Sequence, residues 1–387
     1  MIFRQIFMAL GMKVIGELLF SGGLIFAAKF LTSEDNGYLQ VSVSAAMLMA
    51  PLAVMGLGNH IIKANPSATD LGQLLVNSFF LVFCISVPLS VISLYFLGQL
   101  DFLSLLGLAF LWGSMILMRD VFRARGEGFY SDLGFQLVKG FGVWGVIYIA
   151  VFTEVAVVFL VLALLAIIII LDIFVLRFIK KVSLSGAVNF NEAIKLMKDA
   201  GSLGAAGAAK LALDRVDIII VASLSSISQA GAYAVISRIS NVPAIAIEPI
   251  RNVLRPYFAS TSKEKALKYR DLATFSGFVI SALFVFAVYF GGQHALSYLE
   301  IDEHNLYWPL LVLVVSKSIA NIFSISGSLL VMRGKEKSFM WVMVASLVSL
   351  LILNSIFVET IQGFVVLYSS IIAISGFCVF FVSRRVE

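Results

Sequence analysis

The chain has 387 residues, of which 60% are hydrophobic and only 13% charged, and its mean hydropathy is +1.00. A soluble domain carries about 25% charge, so a soluble globular fold is excluded and the chain reads as an integral membrane protein. The formal net charge of +5 then reports orientation in a bilayer rather than affinity for nucleic acid.

Apolar runs of about 20 residues recur, the length a helix needs to cross hydrocarbon. They predict twelve spans, at 8–31, 39–62, 72–97, 102–118, 131–152, 155–176, 200–224, 229–250, 271–291, 306–332, 338–357 and 361–382. The short alternating strands of an outer-membrane barrel are not the pattern here. The first run carries Lys13 and Glu17 and is too long for the apolar region of a cleaved signal peptide, so it is expected to remain as the first span.

Alternate connections carry opposite charge. One side collects Arg4, Lys63, Arg119, Arg123, Arg125, Arg177, Lys180, Lys181, Lys195 and Lys198, then Arg251, Arg255, Lys263, Lys265, Lys268, Arg270, Arg333, Lys335, Lys337, Arg384 and Arg385. The other has Lys29 with Glu34, Asp35, Asp101, Glu154, Glu300, Asp302, Glu303 and Glu359. Lysine and arginine accumulate in the cytoplasm, which places both termini there. Residues 191–198 and 262–272 mix apolar and basic positions. They are expected to form short helices, either lying on anionic headgroups or acting as solvated connectors.

Cys84 and Cys378 lie inside apolar runs, and His60, His294 and His304 share no ligand spacing. No disulfide framework, metal site or cofactor is expected.

The chain looks duplicated. Gly37 and Tyr38 follow the first span and Gly231 and Tyr233 the seventh, and a proline follows each pair, Pro51 and Pro243. Six spans separate the copies, so both have one orientation, the parallel-repeat plan of many secondary transporters with a site between the halves. The expected divisions are 1–182, a cytoplasmic interfacial linker at 183–199, and 200–387. The two prolines are either hinges or fixed kinks.

Ionisable residues inside the spans cost several kcal/mol in hydrocarbon and so face a partner or a wet cavity. Away from helix ends these are Lys13, Lys139, Lys210, Arg215, Arg238 and Lys317, with Glu17, Asp214, Asp217 and Glu248. The balance is basic. At about 100° per residue, Lys210, Asp214 and Asp217 share a face, as do Lys317, Asn321 and Ser324, and Arg238 lies beside Asn241. Local pairing is the alternative for several: Lys13 with Glu17, Lys210 with Asp214, Asp217 with Arg215, Glu248 with Arg251 or Arg255, and a snorkelling Lys139. Arg238 and Lys317 have no acidic residue within one turn of sequence. They head the candidates for anion binding, followed by Lys13, Arg215 and Lys210. Asn241, Asn321 and Ser324 supply polar lining. Glu17, Asp214 and Asp217 either couple transport to H+ or Na+ or serve as ion pairs.

Two stretches carry a family resemblance. The run from Leu31 through Gly37 and Tyr38, followed by Met55-Gly56-Leu57-Gly58, resembles the first hairpin of polysaccharide flippases. So does Asp214-Arg215-Val216-Asp217 followed by Ala230-Gly231-Ala232-Tyr233. The chain is similar to Wzx-type O-antigen flippases of the multidrug/oligosaccharidyl-lipid/polysaccharide (MOP) exporter superfamily, over its whole length by span number and repeat plan.

The resemblance implies an all-α polytopic protein, two six-helix lobes related by a pseudo-two-fold in a MATE-like V, in the bacterial inner membrane. It implies a non-enzymatic flippase for undecaprenyl-pyrophosphate-linked oligosaccharide, working by alternating access beside a polysaccharide polymerase. Arginine grips phosphate with a fork of donors and lysine offers a point charge, so the basic interior suits that cargo. A cation-coupled multidrug antiporter of the same superfamily is the alternative, with a membrane glycan polymerase third.

Overall fold

A computed structural model describes residues 2–64, 68–125, 133–179, 186–301, 303–358 and 360–384. Every regular element among them is helical. In order they are α1 (Ile2–Phe30), α2 (Ser33–Val54), α3 (Leu57–Ala64), α4 (Ala68–Phe96) and α5 (Phe102–Ala124). A π-helical turn, Leu133–Val138, leads into α6 (Lys139–Phe152), and α7 (Val157–Phe174) runs into a second, Val175–Ile179. There follow α8 (Phe190–Leu224), α9 (Ile227–Ser240), α10 (Val242–Ser260), α11 (Lys263–Tyr298), α12 (Glu303–Met332), α13 (Glu336–Phe357) and α14 (Ile361–Arg384). Ten helices among the described residues are long and apolar enough to cross a bilayer. The other two spans expected from sequence, 8–31 and 200–224, fall on α1 and α8, which are helical throughout.

Three expectations about continuity need correction. The second span, 39–62, is two helices, α2 and α3. Pro51 sits inside α2, and Met55 and Gly56 adopt positive φ (39° and 82°), with the Met55 N–H held by the Pro51 carbonyl. Glycine takes this conformation freely and methionine does not, so the Met55-Gly56 pair turns the chain sharply. The eighth span is likewise broken, between α9 and α10 at Asn241, with Pro243 in the first turn of α10. Conversely, 191–198 and 262–272 are not separate interfacial helices. They are the opening turns of α8 and α11, because neither contains a glycine or proline to end a helix before the apolar run begins.

The chain forms two compact units, Met1–Ser223 and Leu224–Glu387. The linker expected at 183–199 runs into the first turns of α8, and the compact units part at the far end of that helix. In the first unit, one apolar core joins α1, α2, α5, α6 and α7 around Phe20, Leu24 and Trp112. A second joins α2 to α5 with the start of α8, through Leu71, Val121 and Ala193. The entry to α8 is tied to α4: Asn77 Nδ2 donates to Glu192 (2.9 Å), the Asn189 N–H donates to Asn77 Oδ1 (2.9 Å), and Gln73 Nε2 donates to the Ala187 carbonyl (2.6 Å). In the second unit, Ile247, Phe258, Ala273, Ile325 and Leu329 form the core of α10, α11 and α12.

Candidate functional site

The polar interior of the first unit begins at a close helix crossing. A Cβ on Gly16 of α1 would lie 2.7 Å from the backbone of Gln136, and one on Gly140 of α6 would lie 2.9 Å from the Gly16 carbonyl. Small residues allow such an approach between membrane helices. The neighbours of these two glycines, Glu17 and Lys139, are thereby brought together, with Nζ 3.4 Å from Oε1. Lys139 is only 2% exposed, so it does not snorkel. Its ammonium also lies 4.1 Å from the Phe20 ring centre and 4.8 Å from that of Phe135, contacts of order 1 kcal/mol each. Phe135 belongs to the π-helical turn, and Arg119 covers its ring at 4.5 Å. Arg119 and Arg215 are the like charges acting on Lys139.

A second polar cluster sits at the break between α2 and α3. The Asp120 carboxylate lies against Gly58, leaving no room there for a Cβ. Arg119 Nε (3.0 Å) and Arg123 Nη1 (3.5 Å) neutralise Asp120. Both glycines of the Met55–Gly58 motif thus have a use: Gly56 makes the turn, and Gly58 admits a carboxylate to the start of α3, where helix N–H groups favour negative charge.

The remaining first-unit candidates lie on α1 and α8. Lys210 and Asp214 pair with each other at the i,i+4 spacing, both partly exposed. Asp217 is fully buried on α8, and Arg215 is half-buried. Lys13 lies on α1, but its side chain falls outside the described residues. Asp172, near the end of α7, is a buried carboxylate the sequence reading missed. It ends a long apolar run only five residues before Arg177, where an acidic residue passes for the end of the span. Adding it narrows the basic excess among the intramembrane charges.

In the second unit the site is built on the broken helix. The Asn241 N–H bonds the Arg238 and Ile239 carbonyls rather than that of Ser237. The freed Ser237 carbonyl takes three other donors: Ser240 Oγ (2.6 Å), Asn241 Nδ2 (3.2 Å) and Lys317 Nζ (3.3 Å). Lys317 reaches from α12, also donates to Ser237 Oγ (2.6 Å), and lies 5.7 Å from the Tyr368 ring centre. Lys317 and Arg238 are 3% and 4% exposed. Arg238 occupies the last turn of α9, where carbonyl dipoles favour a cation. The structure therefore gathers Lys317 and Asn241 on Ser237, the immediate neighbour of Arg238. Two turns along α12 from Lys317, Ser324 Oγ donates to the Asn321 carbonyl (2.7 Å) and receives Arg251 Nη1 (3.4 Å). Arg251 also pairs with Glu248 (3.5 Å). Asn321 Nδ2 and Arg251 Nε are buried donors without an acceptor among the described residues.

No group of histidine, cysteine and carboxylate side chains suited to a metal occurs among the described residues. Among them, the charged side chains buried in the second unit are Arg238, Arg270 and Lys317, all basic.

No family model matches the sequence, and no curated protein matches it. Solved structures do. An inward-facing multidrug resistance MATE family transporter of the MOP superfamily matches at TM-score 0.74 and 14% identity, covering 95% of this chain and 94% of that one. The MATE multidrug transporter DinF-BH matches at TM-score 0.64 and 13% identity, covering 99% and 95%. The MATE transporter VcmN of Vibrio cholerae matches at 0.61 and 14%, covering 99% and 96%. This is a multi-pass, all-helical membrane protein. Its fold is that of the MATE transporters of the MOP superfamily.

Proposed function

We propose that the protein is a flippase for a lipid-linked oligosaccharide, carrying an undecaprenyl-pyrophosphate-linked repeat unit from the cytoplasmic to the periplasmic leaflet by alternating access. The observation that carries this reading is the burial of Arg238 and Lys317 in the second unit, with no buried carboxylate among its described residues. A pyrophosphate leaving water needs charge-assisted donors. Arg238 and Lys317 supply them at a helix break, where transporters commonly place binding groups. Asn241, Asn321 and Ser324 add neutral donors and acceptors for sugar hydroxyls, while Lys13, Arg215 and Lys210 are further cationic contacts on α1 and α8. The lipid tail stays in the bilayer, and a polysaccharide polymerase consumes the delivered unit.

The test is deletion of the gene in its bacterial host. Loss of surface glycan with accumulation of lipid-linked repeat units inside is the expected result. Intact glycan display would refute the reading.

A multidrug antiporter is the second reading, favoured by the buried carboxylates Asp120, Asp172 and Asp217 of the first unit and by the transporters sharing the fold. Carboxylates suit a cationic drug or a coupling ion, and Glu17, Asp214 and Asp217 are the further groups for H+ or Na+. Drug efflux from loaded cells, with and without a pH or sodium gradient, separates the two readings.

A further inference from the structure

The first turns of α11 carry charge that the proposed transport cycle does not use. The helix has 36 residues, about 54 Å at 1.5 Å per residue, far longer than a hydrocarbon core of about 30 Å. Its exposed apolar residues run from Leu272 to Phe290, about 27 Å of axis, which matches that core. The preceding turns therefore stand in the headgroup layer. Lys265 and Lys268 are exposed there, about 10 Å and 6 Å of axis before Leu272.

Phase makes this more than a basic end. At about 100° per residue, Lys265, Lys268 and Tyr269 fall on the same stripe as Leu272, Val279 and Leu283. The buried stripe, with Ala266, Arg270, Ala273 and Gly277, lies about 120° round the helix. The two lysines thus crown the lipid-facing side of the helix, and exposed Tyr269, its ring 6.0 Å from that of Tyr257, marks the interface below them.

The platform is fixed. Arg333 Nη2 donates to the Thr261 carbonyl just ahead of α11. Buried Arg270 donates to Ser383 Oγ on α14 at 2.9 Å and lies against the Phe380 ring. Two acidic residues are near. Asp271 is held by Arg270, and Glu264 is exposed about 100° from Lys265 but only about 40° from Lys268, so it offsets part of that lysine's charge.

We propose that Lys265 and Lys268, with Tyr269, form a binding site for the phosphate of an anionic phospholipid in the leaflet at this end of α11. A lysine near an anionic surface contributes about fivefold in affinity, so the pair accounts for roughly 25-fold. The full chain in nanodiscs of phosphatidylcholine with a minor fraction of phosphatidylglycerol is the material, and phosphatidylglycerol retained per protein, read by native mass spectrometry, is the measure.

Lys265→Gln/Lys268→Gln should lose most of the retained phosphatidylglycerol, while Lys335→Gln/Lys337→Gln, which removes equal charge from another basic segment, should keep it. Equal loss in both variants, or none in the first, would overturn the site. Inorganic phosphate at millimolar concentration should not displace the lipid; displacement would assign the lysines to free phosphate instead.

Discussion

The two units bury charge in opposite ways. In the first, buried carboxylates and cations are interleaved: Lys139 has Glu17, and Asp120 has Arg119 and Arg123. In the second, the buried charges described are basic, and Lys317 is held by a serine hydroxyl and a carbonyl. The contrast is one of net charge: opposite charges meet in the first unit, whereas the described buried charges of the second leave its interior basic. Under the flippase reading proposed above, Arg238 and Lys317 are the second unit's cargo contacts, while the Glu17–Lys139 and Asp120–Arg119 pairs fix helix positions in the first.

The largest effect should come from the second unit. Truncating a buried, hydrogen-bonded charge at a binding contact costs about 2–5 kcal/mol. Arg238→Ala and Lys317→Met should each reduce surface glycan by roughly 30-fold or more while the protein still inserts and remains monodisperse. Normal glycan display in both would end the comparison, because the second unit's cations would then be structural as well.

Next is the Glu17–Lys139 pair. Removing one partner of a buried pair leaves a stranded charge, at about 3–5 kcal/mol. Glu17 is a quarter exposed, which places Glu17→Gln at the lower end, about 3 kcal/mol. Tm should fall in that variant and recover largely in Glu17→Gln/Lys139→Met, with glycan display restored alongside. If the double variant is stable yet transports nothing, the pair belongs to the mechanism and the contrast between the units fails.

These pairings also mark how far the sequence could be read. The spans were legible because hydropathy averages over 20 residues and needs no partner. The Lys210–Asp214 and Glu248–Arg251 pairs were legible because helical spacing is local. Glu17–Lys139 was not, since 122 residues separate the partners; the readable clue was a glycine beside each, Gly16 and Gly140. The break at Met55 was hidden because a positive φ at methionine is imposed by its surroundings rather than by its own preference. For Lys317, the sequence marked a lysine without an acid within one turn, but its contact with Ser237 joins residues 80 apart and depends in part on the carbonyl freed at Asn241.

A smaller effect tests the motif at the first unit's broken helix. Gly58→Ala places a methyl group on the Asp120 carboxylate and should cost about 1–3 kcal/mol, read as a fall in Tm. Asp120→Ser in the same background should relieve the clash. Asn241, at the break in the second unit, gives its side-chain amide to the Ser237 carbonyl at 3.2 Å, a single neutral hydrogen bond worth about 1 kcal/mol, so Asn241→Ser should change Tm less than Gly58→Ala.

The smallest effect separates the units by pH. Asp101 caps α5 in the first unit, accepting from the Ser104 hydroxyl (2.7 Å) and N–H (2.8 Å). The Ser104 hydroxyl and then its backbone N–H hold the Asp101 carboxyl below its ordinary value of 3.8. A folded-state value below the unfolded one gives stability that is present above about pH 4 and lost as pH falls through the folded value. Ser226 caps α9 in the second unit with a hydroxyl, accepting from the Gln229 N–H, and has no proton to gain. Each cap is worth about 0.5–1 kcal/mol, and solvent exposure keeps Asp101 at the low end. Asp101→Asn should therefore remove a small part of the Tm decline between pH 5 and 3, while Ser226→Ala should lower Tm by the same amount at every pH. An Asp101→Asn profile parallel to the wild type would assign the acid sensitivity of the first unit to its buried carboxylates instead.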